Sequence, residues 1–131
     1  MSRDYRKLQV FQLADRLAVE IFLATKHFPV VERYGLSQQL RRAAVSAASN
    51  IVEGSARSSG REFRNFLNIA AGSATEARYL ISLSGRLGCL GNADADRLVA
   101  GYTLLSAKLQ ALMRSLSSSD PETTRDLRLK T

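Results

Sequence analysis

Arg57, Arg61 and Arg64 crowd a short stretch that also holds Ser58, Ser59 and Gly60. Ser59-Gly60-Arg61-Glu62 reads as a capping box, in which the serine hydroxyl and the glutamate carboxylate satisfy each other's backbone donors, so a helix starts near Gly60. The first turn of a helix offers unpaired N–H groups and the positive end of its dipole, and arginines beside it make a phosphate-binding end. The plainer alternative is that these arginines solvate the surface or pair with Glu53 and Glu62, the carboxylates nearest to them in sequence.

Side chains for covalent or acid–base catalysis are scarce. His27 is the one histidine, which leaves no set for a zinc site or a Ser-His-Asp triad; it reads as a helix-end histidine facing the negative end of the dipole. Small helical ribonucleases of the HEPN type need an arginine closely followed by a histidine, and the nearest arginine before His27 is Arg16. Cys89 is the one cysteine, so no intrachain disulfide forms; near Leu87 and Leu90 it reads as a packed hydrophobe rather than a nucleophile. No Gly-x-x-x-x-Gly-Lys loop occurs, and Gly85-x-x-Gly88-x-x-Gly91 lacks the preceding strand that a dinucleotide site needs. The expectation is a non-catalytic protein with no metal site and no cofactor.

Helices must position these residues. The 131 residues suffice for one domain, and 19 Leu and 17 Ala against 7 Val, 4 Ile and two Pro argue for helix over sheet. Between Leu8 and about His27, Val10, Leu13, Ala14, Leu17, Ile21 and Ala24 recur at steps of three and four. A second stripe through Phe11, Ala18 and Phe22 widens the apolar arc beyond what one core contact needs; it either faces a partner or folds into the protomer's own core. Phe28-Pro29 ends this helix.

Leu36, Leu40, Ala43, Ala44, Ala47 and Ile51 form the next stripe. The third, through Phe63, Phe66, Leu67, Ala70, Ala74, Ala77, Leu80, Ile81 and Leu87, should stop near Gly88 to Gly91; Gly72 and Gly85 inside it should mark tight packing. Leu98, Tyr102, Leu105, Leu109, Leu112 and Leu116 make a heptad seam. The expected fold class is all-α: an antiparallel up-down-up-down four-helix bundle over residues 1–116, with residues 117–131 a disordered tail. The start of the chain lacks the apolar run of a signal peptide, and no apolar stretch approaches the roughly 18 residues of a membrane span, so a cytoplasmic protein is expected.

The net charge is +7, and this topology distributes it. Arg6 and Lys7 join Arg57, Arg61 and Arg64 at one end of the bundle, with Arg3 and Arg114, while Arg41, Arg42 and Arg33 fall toward the other. Arg41 and Arg57 are separated by roughly 24 Å of helix at 1.5 Å per residue, too far for one small-molecule pocket, though an extended polyanion can engage either end. Aromatic residues near the first end are few: Tyr5, Phe63 and Phe66, the last two expected in the core. Recognition of the nucleic-acid backbone with little sequence preference follows. Arg42, Ser46, Ser49, Asn50 and Glu53 form a polar stripe on the second helix. It reads first as an intersubunit hydrogen-bond network, and otherwise as a nucleic-acid contact or solvated surface.

Several blocks together resemble a known family. They are Leu8-Gln9-Val10-Phe11-Gln12-Leu13-Ala14, Phe28-Pro29 with Tyr34-Gly35-Leu36, Gln39-Leu40-Arg41-Arg42-Ala43-Ala44-Val45-Ser46, Ser49-Asn50-Ile51-Val52-Glu53-Gly54, and Glu62-Phe63 with Phe66-Leu67 and Ala71-Gly72-Ser73. Over roughly residues 5 to 116 the chain is similar to the 23S rRNA-intervening-sequence (IVP) four-helix-bundle proteins. The resemblance implies a barrel-like homopentamer, and a relation to the accessory variability determinant of diversity-generating retroelements, which binds a reverse transcriptase and nucleic acid. Arg41, Arg42, Asn50, Glu53 and Gly54 match family motif positions, and the family has no established catalytic set.

The expected function is that of a basic homo-oligomer acting as an accessory RNA- or DNA-binding protein. Arg57, Arg61, Arg64, Arg6, Lys7, Arg41 and Arg42 are its contact residues, and Arg42, Ser46, Asn50, Glu53, Gly54, Phe11 and Phe22 are motif or interface positions. The alternative is a protein–protein adaptor with no nucleic-acid ligand of its own.

Overall fold

A computed structural model of the chain describes residues 3–32 and 35–119. Arg33, Tyr34 and most of the expected tail lie outside them. Four helices make up the fold: α1 (Gln9–Thr25), α2 (Leu36–Ser55), α3 (Gly60–Arg86) and α4 (Asn92–Ser119), with short 3-10 turns at Tyr5–Lys7 and Val30–Glu32. There is no strand among the described residues.

Each helix packs on two others, α2 on α1 and α3, and α4 on α3 and α1. Side-chain pairings fix their directions. Along α2, Arg42 meets Glu76 and Ser46 meets Ser73, while Gly54 abuts Phe63 and Phe66, so the partners on α3 run backwards. On α1 and α4, Gln9 meets Lys108, Leu17 meets Gly101 and Glu20 meets Arg97, again in opposite order.

The apolar stripes meet in one core that holds Leu17, Ile21, Leu40, Ile51, Leu67 and Ile81. On α4 the buried series is Leu98, Tyr102, Leu105, Leu109 and then Met113, with Leu112 and Leu116 only partly covered. A straight α-helix drifts from a strict seven-residue repeat, which hands the last core position from the heptad's Leu112 to Met113.

Two glycines let helices approach closely. A Cβ at Gly54 would lie 2.8 Å from Phe66 Cβ and 2.9 Å from Phe63 Cδ1, and one at Gly101 would lie 2.5 Å from Leu17 Cδ2. A Cβ at Gly85 would also meet a neighbour, Ala95 Cβ at 3.0 Å, but one at Gly72 would meet nothing within 4 Å. The expectation of tight packing at Gly72 is therefore corrected, because that position lies on the exposed side of α3. Leu87 is another departure: α3 ends at Arg86, and Gly88 at φ 78° turns the chain, leaving Leu87 exposed. The bundle also runs past its expected limit at residue 116. Ser117 Oγ donates to Met113 O (3.0 Å) and accepts from Arg64 Nη1 (3.2 Å), so serines that suggest a loop are accommodated in the last turns of α4.

Candidate nucleic-acid interface at the basic pole

The pole is built on the start of α3. Ser59 caps that helix by accepting from Glu62 N (3.1 Å); the reciprocal glutamate half of the expected box does not form among the described contacts. Phe63 is buried and Phe66 half-buried against the end of α2, where Gly54 makes room for both. Each ring carries an arginine: the Arg3 guanidinium sits 4.4 Å from the centroid of Phe63, and that of Arg57 4.6 Å from Phe66. A guanidinium held over a ring face is restrained before any ligand arrives while its N–H edges still point outward. Arg57, Glu62, Asn65 and Phe66 line a shallow cleft of ≈ 270 Å³ beside this capped helix start.

Arg3 also straps the chain to this end. Its N–H donates to Ser55 O (2.8 Å), and its Nη1 donates to Arg57 O (3.4 Å). Arg6 forms a two-point pair with Asp4, Nε to Oδ1 at 3.0 Å and Nη2 to Oδ2 at 3.1 Å, and lies at the surface beside Lys7. The Arg6 side-chain bond, more than its backbone N–H bond, holds the Asp4 carboxyl below the usual carboxylate range, and Asp4 raises Arg6 in turn. Arg61 is exposed on the first turn of α3, and Arg64 reaches α4 through Ser117. The structure therefore gathers Arg57, Arg61 and Arg64 on one helix start, with Arg6 and Lys7 ahead of α1 at the same end.

Arg41 and Arg42 do not join them. Arg41 Nε donates to Thr25 Oγ1 (2.7 Å) and Nη2 to Phe22 O (3.4 Å), with the guanidinium 4.8 Å from the Phe22 ring centroid. This places a cation against the negative end of α1. Its neighbour Arg42, about 100° around α2, turns to α3 instead and pairs with Glu76 at 2.6 Å. Consecutive arginines thus tie α2 to both flanking helices, and their primary contacts lie within the bundle.

The polar stripe on α2 is likewise an internal seam. Ser46 Oγ and Ser73 Oγ are 2.8 Å apart, and Asn50 Nδ2 donates to Ser46 O (2.9 Å) and Ser46 Oγ (3.1 Å). Within the protomer α3 supplies partners for Arg42 and Ser46, while Asn50 bonds back to Ser46 on α2. Glu53 is exposed at the edge of this seam. Phe11 packs partly against the core and edge-to-face on Tyr5, 4.8 Å between centroids. Phe22 remains 40% exposed, and with Val19 and Leu23, each 54% exposed, forms an apolar patch on the outer side of α1.

Elsewhere, Cys89 packs partly buried against the core, and His27 lies two residues beyond the end of α1, exposed. Among the described residues no three His, Cys, Asp or Glu side chains cluster as a metal site would require, and no helix is long and apolar enough to cross a membrane. The sequence reading did not single out Tyr79, 58% exposed on α3. Its signal was available: Tyr79 stands one turn beyond Thr75 and one before Ser82, off the apolar stripe of its helix.

The fold and this pole define a small helical protein with a cationic end. The chain belongs to the 23S rRNA-intervening sequence protein family, whose model matches residues 6–111. It is similar to a crystal structure of a Bacteroides thetaiotaomicron protein with unknown function from the S23 ribosomal protein family. The TM-score is 0.73 at 27% sequence identity, over 79% of this chain and 97% of that one. No curated protein matches the sequence.

Proposed function

We propose that this chain forms a cytoplasmic, non-catalytic homo-oligomer of up-down-up-down bundles that binds RNA or DNA through the phosphate backbone at its Arg57, Arg61 and Arg64 pole. The observation that carries this reading is Arg57, stacked over Phe66 beside the Ser59-capped start of α3. A restrained guanidinium and the N–H groups of a first helical turn converge there on the same kind of anion. The nucleic-acid binding of the retroelement accessory determinants, to which the family resemblance implies a relation, agrees with it. Arg41 and Arg42 drop out as contact residues, since α1 and Glu76 engage them.

Val19, Phe22 and Leu23 support self-association, because an exposed apolar patch of this kind is lost from water when copies pack together. The same patch favours a second reading, a protein adaptor with no nucleic-acid ligand.

Fluorescence anisotropy of labelled RNA and DNA over a salt series separates the two. A backbone binder loses affinity with a log–log slope near −0.9 per phosphate neutralised on duplex DNA, and binds random sequences equally. Changing Arg57, Arg61 and Arg64 together to Gln should weaken binding and flatten that slope. No binding at low salt by the assembled protein would refute the reading in favour of the adaptor.

A further inference from the structure

One side of α3 carries a stripe outside the core that starts at the pole and runs on beyond it. Arg61, Asn65, Asn68, Thr75, Tyr79 and Arg86 recur along it at helical spacing, all of them exposed, with Gly72 in the middle. It spans about 37 Å from Arg61 to Arg86 at 1.5 Å per residue. Arginines stand at both ends of the stripe, which contains no carboxylate. Of the two acids of α3, Glu76 is drawn toward α2 by Arg42, and Glu62 lines the cleft with Arg57 and Asn65 beside the start of the stripe.

Toward its far end the stripe borders an open groove of ≈ 450 Å³ between α3 and α4, lined by Thr75, Arg78, Tyr79, Ser82, Val99 and Thr103. The groove combines one cation, three hydroxyls and an exposed aromatic ring, again with no acid. Gly72 adds a separate observation. A glycine inside a helix costs about 1 kcal/mol relative to alanine, yet a side chain here would meet nothing within the protomer. Its lack of a side chain leaves the helix backbone open to close approach from outside.

We infer that this face of α3 is a track for single-stranded nucleic acid, entered at Arg61 and leading to Tyr79 as the platform on which a base stacks. The inference rests on the nucleic-acid reading of the pole and deepens it, naming the strand state preferred. A duplex keeps its base faces stacked inside and has nothing to offer Tyr79, whereas every unpaired base presents a π-face, so stacking here favours single strands without choosing a sequence. Arg78 beside the ring and the Ser82 hydroxyl supply donors for the adjoining phosphates and sugars, while Thr75 and Thr103, whose hydroxyls donate to Ala71 O and Val99 O, offer acceptors to sugar hydroxyls.

The test uses single-stranded RNA and DNA oligonucleotides carrying 2-aminopurine, with the same sequences as duplexes, against the intact protein. Binding of the single strand should quench the 2-aminopurine emission. Tyr79→Ala should remove the quench and weaken single-strand binding by about tenfold, leaving duplex binding unchanged, and Tyr79→Phe should keep both. Circular dichroism should be the same for all three proteins, since the ring is exposed.

If Tyr79→Ala binds single strands as the parent does while the Arg57, Arg61, Arg64 variant is weakened, the track is refuted and the pole stands. If the parent protein binds no nucleic acid, both fall. If Tyr79→Ala instead lowers the sedimentation coefficient, the face is covered by another protomer, and the track is refuted on that ground.

Discussion

Tyr102 lies at the centre of α4, fully buried, and its hydroxyl has no hydrogen-bond partner among the described residues. Removing only that oxygen, as Tyr102→Phe, retains the packed ring and relieves an unmatched polar group. A buried hydroxyl without a partner costs about 1–3 kcal/mol, so the variant should gain about 1–2 kcal/mol of unfolding free energy, or about 3–8 °C in Tm.

A second signature follows from the proton. Burial, and after it the charge of Glu20, raises the Tyr102 phenol above its ordinary value of 10.0. Above about pH 10 the unfolded chain then releases a proton that the folded chain keeps. The unfolded state binds fewer protons, and stability falls with rising pH by up to about 1.4 kcal/mol per unit from this group. Phenylalanine has no such loss, so the gap between variant and parent should widen above pH 10. Urea unfolding at neutral pH and across the alkaline range measures both effects, with the urea dependence unchanged between proteins. A variant less stable than the parent at neutral pH, or a gap that stays constant into alkali, would show that the hydroxyl is satisfied inside the fold, and the reasoning would fail.

The glycines supply a paired prediction. Gly54→Ala should destabilise by about 1–3 kcal/mol, because its Cβ would meet Phe66 Cβ at 2.8 Å and Phe63 Cδ1 at 2.9 Å, whereas Gly72→Ala should stabilise by about 0.5–1 kcal/mol; denaturant midpoints decide both. Ser59→Ala removes the one side-chain cap of α3 and should cost about 1 kcal/mol, with amide exchange accelerated first around Glu62.

Periodicity exposed the four helices because each commits one face to a shared core, and a face repeated over five or more turns survives local irregularity. Together with the capping box at Ser59 it placed the start of α3 at Gly60. It missed where competing local contacts decide. Ser117 belongs to α4 because Arg64 and the Met113 carbonyl engage its hydroxyl, and Leu87 stays outside because α3 ends at Arg86 and Gly88, next after Leu87, turns the chain. The arginines of the pole were legible as a charge cluster, but the rings beneath Arg3 and Arg57 depend on tertiary placement. Arg41 and Arg42 look equivalent in sequence, and only the helices on either side of α2 distinguish a cation at the end of α1 from a partner for Glu76.

The strap at Arg3 has a consequence for the order in which the molecule comes together. The α2–α3 hairpin closes across a four-residue turn, Ala56 to Ser59, but the bond from Arg3 to the Arg57 carbonyl closes a loop of 54 residues. Loop-closure entropy places such a contact late in folding, after the hairpin has set Phe63 and the end of α2 in position to receive it. A contact formed last and held at the surface is also among the first to open. The cationic pole can therefore release one of its arginines, and bare the face of Phe63, in a local fluctuation that leaves the four-helix core intact.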